Sequence, residues 1–189
     1  MTNSLEIKDT TTNPGPLGLV GFGLTTILLN LHNAGLFGLD TMILSMGIFM
    51  GGFLQICVGM LEWKKNNMFG LIAFSSYGAF WLSLVALLVM PKLGMGTAPT
   101  PIAMGYYLTV WGIFSTFLFV LTFKMNRALQ LVFGTLIVLF ALLAIADFTG
   151  NHTIKTIAGV EGVICGSLAL YTAMAQLFNE VYGRKVLPL

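Results

Sequence analysis

The sequence predicts an all-α integral membrane protein of six transmembrane helices with both termini in the cytoplasm. Three observations carry that prediction. Of 189 residues, 57% are hydrophobic and only 8% are charged, and the mean hydropathy is +0.90, so there is too little polar surface to clothe a water-soluble domain. Six apolar segments reach the length of about 20 residues that a spanning helix needs, between loops marked by charge, Gly or Pro. The basic residues are also uneven: Lys8, Lys64, Lys65, Lys124, Arg127, Arg184 and Lys185 fall on the side of the termini, and only Lys92 and Lys155 on the other. That asymmetry is the positive-inside signal. Strands are excluded because open strands leave backbone groups unpaired in lipid, and the alternation of a barrel is absent.

Residues 1–12 are polar and rich in Ser and Thr, without the basic start and apolar core of a cleaved signal, and read as a disordered cytoplasmic tail. The transmembrane domain runs over 13–189. Its first span, 16–36, opens on Asn13-Pro14-Gly15-Pro16, where two prolines suit a helix start because the N–H groups they lack are unpaired there anyway. This span carries Thr25, Thr26, Asn30, His32 and Asn33, groups that lipid does not ask for. The second span, 40–62, holds Gly47 and Gly51 on one face, and Trp63 just beyond it suits an interfacial anchor. Trp81 in the third span, 68–90, and Trp111 in the fourth, 101–123, lie deep enough to pack against other helices. The fifth span covers 127–148. The sixth, 153–182, repeats the four-residue spacing of small residues at Gly162 and Gly166, which lets helix backbones approach closely.

Asn13-Pro14-Gly15-Pro16-Leu17-Gly18-Leu19, continued by Gly21-Phe22-Gly23, closely resembles the Asn-Pro-Ala-Pro-Leu-Gly-Leu signature of the acetate/succinate transporter family, which includes bacterial succinate–acetate permeases and fungal acetate and ammonia-export proteins. The resemblance continues through Leu28-Leu29-Asn30-Leu31-His32-Asn33, Met46-Gly47-Ile48-Phe49, Tyr77-Gly78, Pro91-Lys92-Leu93, residues 139–145, Asn179-Glu180 and Val186-Leu187-Pro188. One departure is Gly15, where the family usually has Ala, and it loosens the turn. The resemblance implies movement of acetate and other small carboxylates, succinate among them, through a bilayer. It also implies a homo-hexameric ring with a separate pathway through each protomer, and a narrow apolar gate at the positions matching Phe22, Tyr77 and Leu136.

Helix depth agrees with that gate. At about 1.5 Å per residue from the cytoplasmic ends, Phe22 lies about 9 Å in, Leu136 about 14 Å and Tyr77 about 14 to 16 Å. Phe22, Thr26, Asn30 and Asn33 recur at intervals of three and four, so they share a helix face. Together with Thr25, Gln55 and Ser76 they offer uncharged groups that can replace part of a carboxylate's hydration and still release it. The helix start at Asn13 adds its positive end, which attracts a small anion. Taken singly, each Asn or Thr serves equally as a hydrogen-bonding contact between helices.

Glu161 is the one charge well inside a span, about 12 Å from the outer end of the sixth helix. Two roles stay open for it: a proton-linked site for acid transport, or a structural carboxyl at a helix contact. Asp40, Glu62 and Asp147 stand near helix ends and read as solvated or capping, although Asp147 shares a face with Leu136 and so points to an outer vestibule. Enzyme signatures are absent. Cys57 and Cys165 are single thiols with no CxxC pair or His cluster, so no metal and no cofactor is expected. A net charge of +2 divided among loops gives no reason to expect nucleic acid as a partner. Two other readings remain: a channel for a neutral solute such as urea or ammonia, and a haem-carrying redox subunit using His32 and His152.

Overall fold

In a computed structural model of the chain, residues 11–189 are described. Six helices long and apolar enough to cross a membrane account for most of them: Gly15–Asn33, Thr41–Lys64, Met68–Leu93, Pro101–Thr122, Arg127–Thr149 and His152–Val181. Each lies within a few residues of its expected span, and no strand occurs among the described residues. The expected tail falls largely on residues 1–10, outside the described part. Thr11 and Thr12 are exposed and irregular, and the Thr11 carbonyl accepts a hydrogen bond from Lys65 Nζ.

Side-chain caps mark the helix starts, because the first N–H groups of a helix have no partner within it. Asp40 accepts from the N–H groups of Met42 and Ile43, Asn67 from Gly70, Thr100 from Ala103, Asn126 from Leu129, and Asn151 from Thr153 and Ile154. Short connections make sequential helices antiparallel, so one end of the bundle carries both chain termini and the other carries the turn at Gly150. The fifth helix stops there with Gly150 at φ +64°, a left-handed conformation that glycine adopts without steric cost.

The second helix is not uniform. Over Gly47–Leu54 it widens to π-type hydrogen bonding, which is usual where something presses into the helical ladder. The wedge comes from the third helix. A Cβ added at Gly51 would lie 2.6 Å from Trp81 Cγ, and one at Gly47 would lie 2.7 Å from Val85 Cγ2. Trp81 is only 3% exposed, as its depth predicts, whereas Trp63 at the helix end is 63% exposed, as an interfacial anchor should be.

The most extensive packing is between the first and sixth helices, followed by the second with the third, the fourth with the fifth, and the fifth with the sixth. In the first of these contacts the backbones come closest. Gly23 and Gly166 face each other there: a Cβ on either would stand 2.7 to 2.8 Å from the carbonyl oxygen of the other. Of the four glycines expected to let backbones approach, Gly166 meets a facing backbone, whereas Gly47 and Gly51 make room for the Val85 and Trp81 side chains and Gly162 for that of Asn30, all within one chain. Phe49, Phe53, Val110, Phe117 and Val160 turn outward and are more than half exposed. Because neither facing backbone can yield, Gly166→Leu is expected to destabilise the bundle by about 3 kcal/mol. Thermal unfolding in detergent measures this, with Gly38→Ala as a silent control because nothing lies within 4 Å of the added atom.

Candidate functional site

The first, third and fifth helices converge toward the end that carries the termini. Leu19 and Phe22 from the first, Phe69, Ala73 and Tyr77 from the third, and Val132 and Leu136 from the fifth enclose a cavity of about 40 Å³, with Gln55 reaching in from the second. Phe22, Tyr77 and Leu136 are 6%, 4% and 3% exposed, and the Phe22 and Tyr77 rings stand 6.0 Å apart. A space of this size holds little more than one or two water molecules. The three residues singled out in the sequence thus line one small chamber.

Tyr77 is the hub of its wall. Its ring touches Trp111, Phe114 and Phe133 with centroids 5.9 to 6.3 Å away. Its hydroxyl shares a 2.8 Å hydrogen bond with Ser115 Oγ, and that hydroxyl also donates to the Trp111 carbonyl at 2.8 Å. The need of a buried phenol for a partner was legible; Ser115 was not, because its place on the fourth helix carries no signal of which neighbour it meets. Beyond Trp111 comes Phe80, edge-on to it at 5.1 Å and stacked on Tyr107 at 5.7 Å. Tyr107 in turn is bonded to Ser83 at 2.6 Å.

Phe80 also borders a second cavity of about 150 Å³ at the opposite end, where Leu84, Asn33, His32, Asp147 and Lys155 contribute to the lining. Two chambers, one small and apolar and one larger and partly charged, are therefore separated by aromatic rings.

The remaining candidates divide between chambers and helix contacts. Gln55 lines the small cavity; its Nε2 donates to the Gly18 carbonyl at 3.3 Å, and its Oε1 is buried without a partner. Asn33 lines the larger one and donates to Asn30 Oδ1 at 3.0 Å. Asn30 is pressed against Gly162, which has no room for a Cβ, and donates to the Thr26 carbonyl at 2.9 Å. Thr25 is fully buried, donating to the Gly21 carbonyl at 2.8 Å beside the Met46 carbonyl of the second helix. Thr26 Oγ1 is buried and unpartnered. Thr25, Thr26 and Asn30 line neither chamber, so the expected polar stripe is a helix contact between its two ends. Ser76 is half-buried and also lines neither.

Asn13 stands apart as well. It is exposed, its Oδ1 accepts from the Gly15 N–H at 3.0 Å, and its Nδ2 donates to Gln176. Pro16 has no N–H, and those of Leu17 and Gly18 go to the Pro14 carbonyl. The first turn thus has no spare donor for a carboxylate, contrary to the expectation for this helix start. The carboxylate beside it is the chain's own: a Cβ at Gly15 would lie 3.2 Å from Glu62 Oε1. Its place near a helix end predicts a solvated or capping Glu62, yet Glu62 is 2% exposed and accepts from Asn67 Nδ2 at 2.8 Å. Asp40 caps as expected. Glu161 has both carboxyl oxygens buried and without a hydrogen-bond partner, and lines neither chamber. The His32 Nδ1 is bonded to the Phe37 carbonyl at 2.8 Å, and His152 is exposed at the start of the sixth helix. Among the described residues, no group of three His, Cys, Asp or Glu side chains could hold a metal ion.

Removing one hydroxyl isolates the Tyr77 contact. Tyr77→Phe keeps the ring contacts and leaves Ser115 its Trp111 acceptor, so a loss of about 1 kcal/mol in detergent unfolding is expected.

The sequence matches the GPR1/FUN34/yaaH family over residues 3–185. The succinate-acetate/proton symporter SatP of Escherichia coli K12 is 59% identical over 177 residues, 94% of each chain. Ammonia transport outward protein 2 of Saccharomyces cerevisiae is 38% identical over 171 residues, covering 86% of this chain and 60% of its own. A solved structure of the bacterial acetate channel SatP superposes with a TM-score of 0.94 at 58% identity, covering 95% of this chain and 99% of that one. With a match that spans nearly every residue and a shared arrangement of helices, the chain belongs to the GPR1/FUN34/yaaH family.

Proposed function

We propose that the chain carries acetate and other short carboxylates across the cytoplasmic membrane, without chemical conversion, along a path through the two chambers. The observation that carries the reading is the convergence of Phe22, Tyr77 and Leu136 on one chamber of about 40 Å³, in a fold shared with a solved acetate channel. A chamber this small favours short chains, and Gln55 supplies its polar contact. The excess of basic residues on the side of the termini supports a cytoplasmic position for that end. The larger chamber then opens outward. A hexameric assembly, one path per protomer, is part of the same proposal. Glu161 is the candidate for proton coupling, since within the spans it is a carboxyl group with neither oxygen paired.

A neutral solute is the second reading, favoured by the apolar lining of the small chamber and by the name of the yeast relative. The two differ in competition. In liposomes containing the purified protein, labelled acetate uptake should saturate and fall with added formate or propionate but hardly with urea. Rapid urea passage, with acetate flux no greater than in protein-free liposomes, would end the carboxylate reading.

Leu136 tests size selection. Leu136→Ala removes methyl groups from the chamber wall without adding charge, so lactate should compete with acetate roughly tenfold better than in the parent. An unchanged competition profile in a well-folded variant would reduce Leu136 to a packing residue.

A further inference from the structure

The two chambers are separate cavities placed one after the other along the bundle. On the first helix their lining passes from Phe22 to Leu29, and on the fifth from Leu136 to Leu143, a step of about two helical turns or about 10 Å in each. On the third helix it passes from Tyr77 to Phe80, less than one turn, and the two residues share a face. Counted from the start of each helix, Phe80 lies about 18 Å along, between Leu136 at about 14 Å and Leu143 at about 24 Å. Phe80 therefore stands at the level where one chamber ends and the other begins.

Its ring is held by other rings and has space on one side. It meets Trp111 edge-on at 5.1 Å and Phe140 edge-on at 5.5 Å, and is stacked on Tyr107 at 5.7 Å. Two hydroxyls pin the main chain beneath it. The Phe80 carbonyl accepts from Ser83 Oγ at 2.8 Å and from the Tyr107 hydroxyl at 3.3 Å, and those two hydroxyls lie 2.6 Å apart. With the main chain fixed, the motion left to Phe80 is rotation of its side chain. The larger chamber that it borders, at about 150 Å³, matches in size a cavity that takes up benzene. Around the ring that chamber is apolar, lined by Leu84, Met104, Leu108 and Leu143.

We infer that Phe80 is a gate between the chambers: its ring turns into the larger one to let a solute through and returns to shut the wall. The inference rests on the carboxylate-transport reading and adds a division of labour to it. Phe22, Tyr77 and Leu136 set which solutes fit, and Phe80 sets how often one passes. Opening breaks the edge-on contacts with Trp111 and Phe140 and leaves the hydrogen bonds to the Phe80 carbonyl intact, so its cost is confined to a few ring contacts.

Labelled iodoacetate, a small carboxylate that alkylates thiols, reads the gate without flux. Its target is the thiol introduced by Leu136→Cys, in a background where Cys57→Ser removes the exposed native thiol and Cys165 stays buried. In purified protein in detergent, adding Phe80→Ala should speed that labelling roughly tenfold, the factor expected from losing two ring contacts. Phe80→Leu, which keeps more of the packing, should give a smaller rise in the same direction. The second readout is labelled acetate uptake by cells that lack their own carboxylate carriers. There Phe80→Trp, which crowds the swing of the ring, should lower the maximal rate several-fold, while the lactate-to-acetate competition that Leu136→Ala shifts stays as in the parent. Labelling no faster in Phe80→Ala and Phe80→Leu, with both variants folded by thermal unfolding, would reduce Phe80 to a packing residue. A Phe80→Trp protein whose competition profile moves as far as that of Leu136→Ala would end the division of labour. Acetate uptake absent from the parent would instead sink the transport reading, while the labelling rates still decide the gate.

Discussion

The close approach of the first and sixth helices is the constraint on which the site depends. Within hydrocarbon no hydrophobic force drives one helix onto another, so contact has to come from van der Waals packing between small residues. Gly23 and Gly166 bring the two backbones together, and Gly162 makes the space that Asn30 fills. On its other side the first helix leans on the widened part of the second, where a Cβ at Gly21 would lie 2.6 Å from the Met50 carbonyl oxygen. Held on both sides, the helix has one orientation, and that orientation turns Phe22 toward Tyr77. Any side chain added at the glycine crossing would push Phe22 away from the chamber.

The same apolar setting explains why the chambers contain so few free polar groups. Hydroxyls inside the helices fold back on carbonyls one turn earlier: Thr25 on Gly21, Thr109 on Gly105, Thr116 on Gly112, Ser167 on Val163 and Thr172 on Leu168. An unpaired donor in lipid is costly, so these side chains are satisfied locally and do not face a path. Gln55 is an exception that reaches a chamber. A lining with so few free polar groups is consistent with the proposed passage, because a site that held a carboxylate tightly would not let it go.

Charge is placed asymmetrically along the bundle. At the end carrying the termini, Glu62 is buried and bonded to Asn67, whose Oδ1 also caps the third helix. This ties the end of the second helix to the start of the third. At the opposite end Asp147 and Lys155 border open space. One end uses its carboxylate for packing; the other keeps its charges beside cavities.

Composition and hydropathy alone determined the fold class, the number of spans and their approximate limits, because each helix must satisfy its own backbone in lipid whatever its neighbours are. Spacing and depth also brought Phe22, Tyr77 and Leu136 to comparable levels, and the motif at residues 13–19 was enough to suggest the family. Which way each polar group points was decided by the tertiary structure. Thr26 and Asn30 share a helix face with Phe22 and Asn33, yet they are covered by helix contacts while Phe22 and Asn33 reach the chambers. Glu62 looked like an end-of-helix charge and is buried beneath Gly15. Ser115 gave no sign of being the partner of Tyr77. A helix face is a property of one segment and can be read from residue spacing, but whether that face meets a chamber, a glycine or lipid depends on how the helices around it pack.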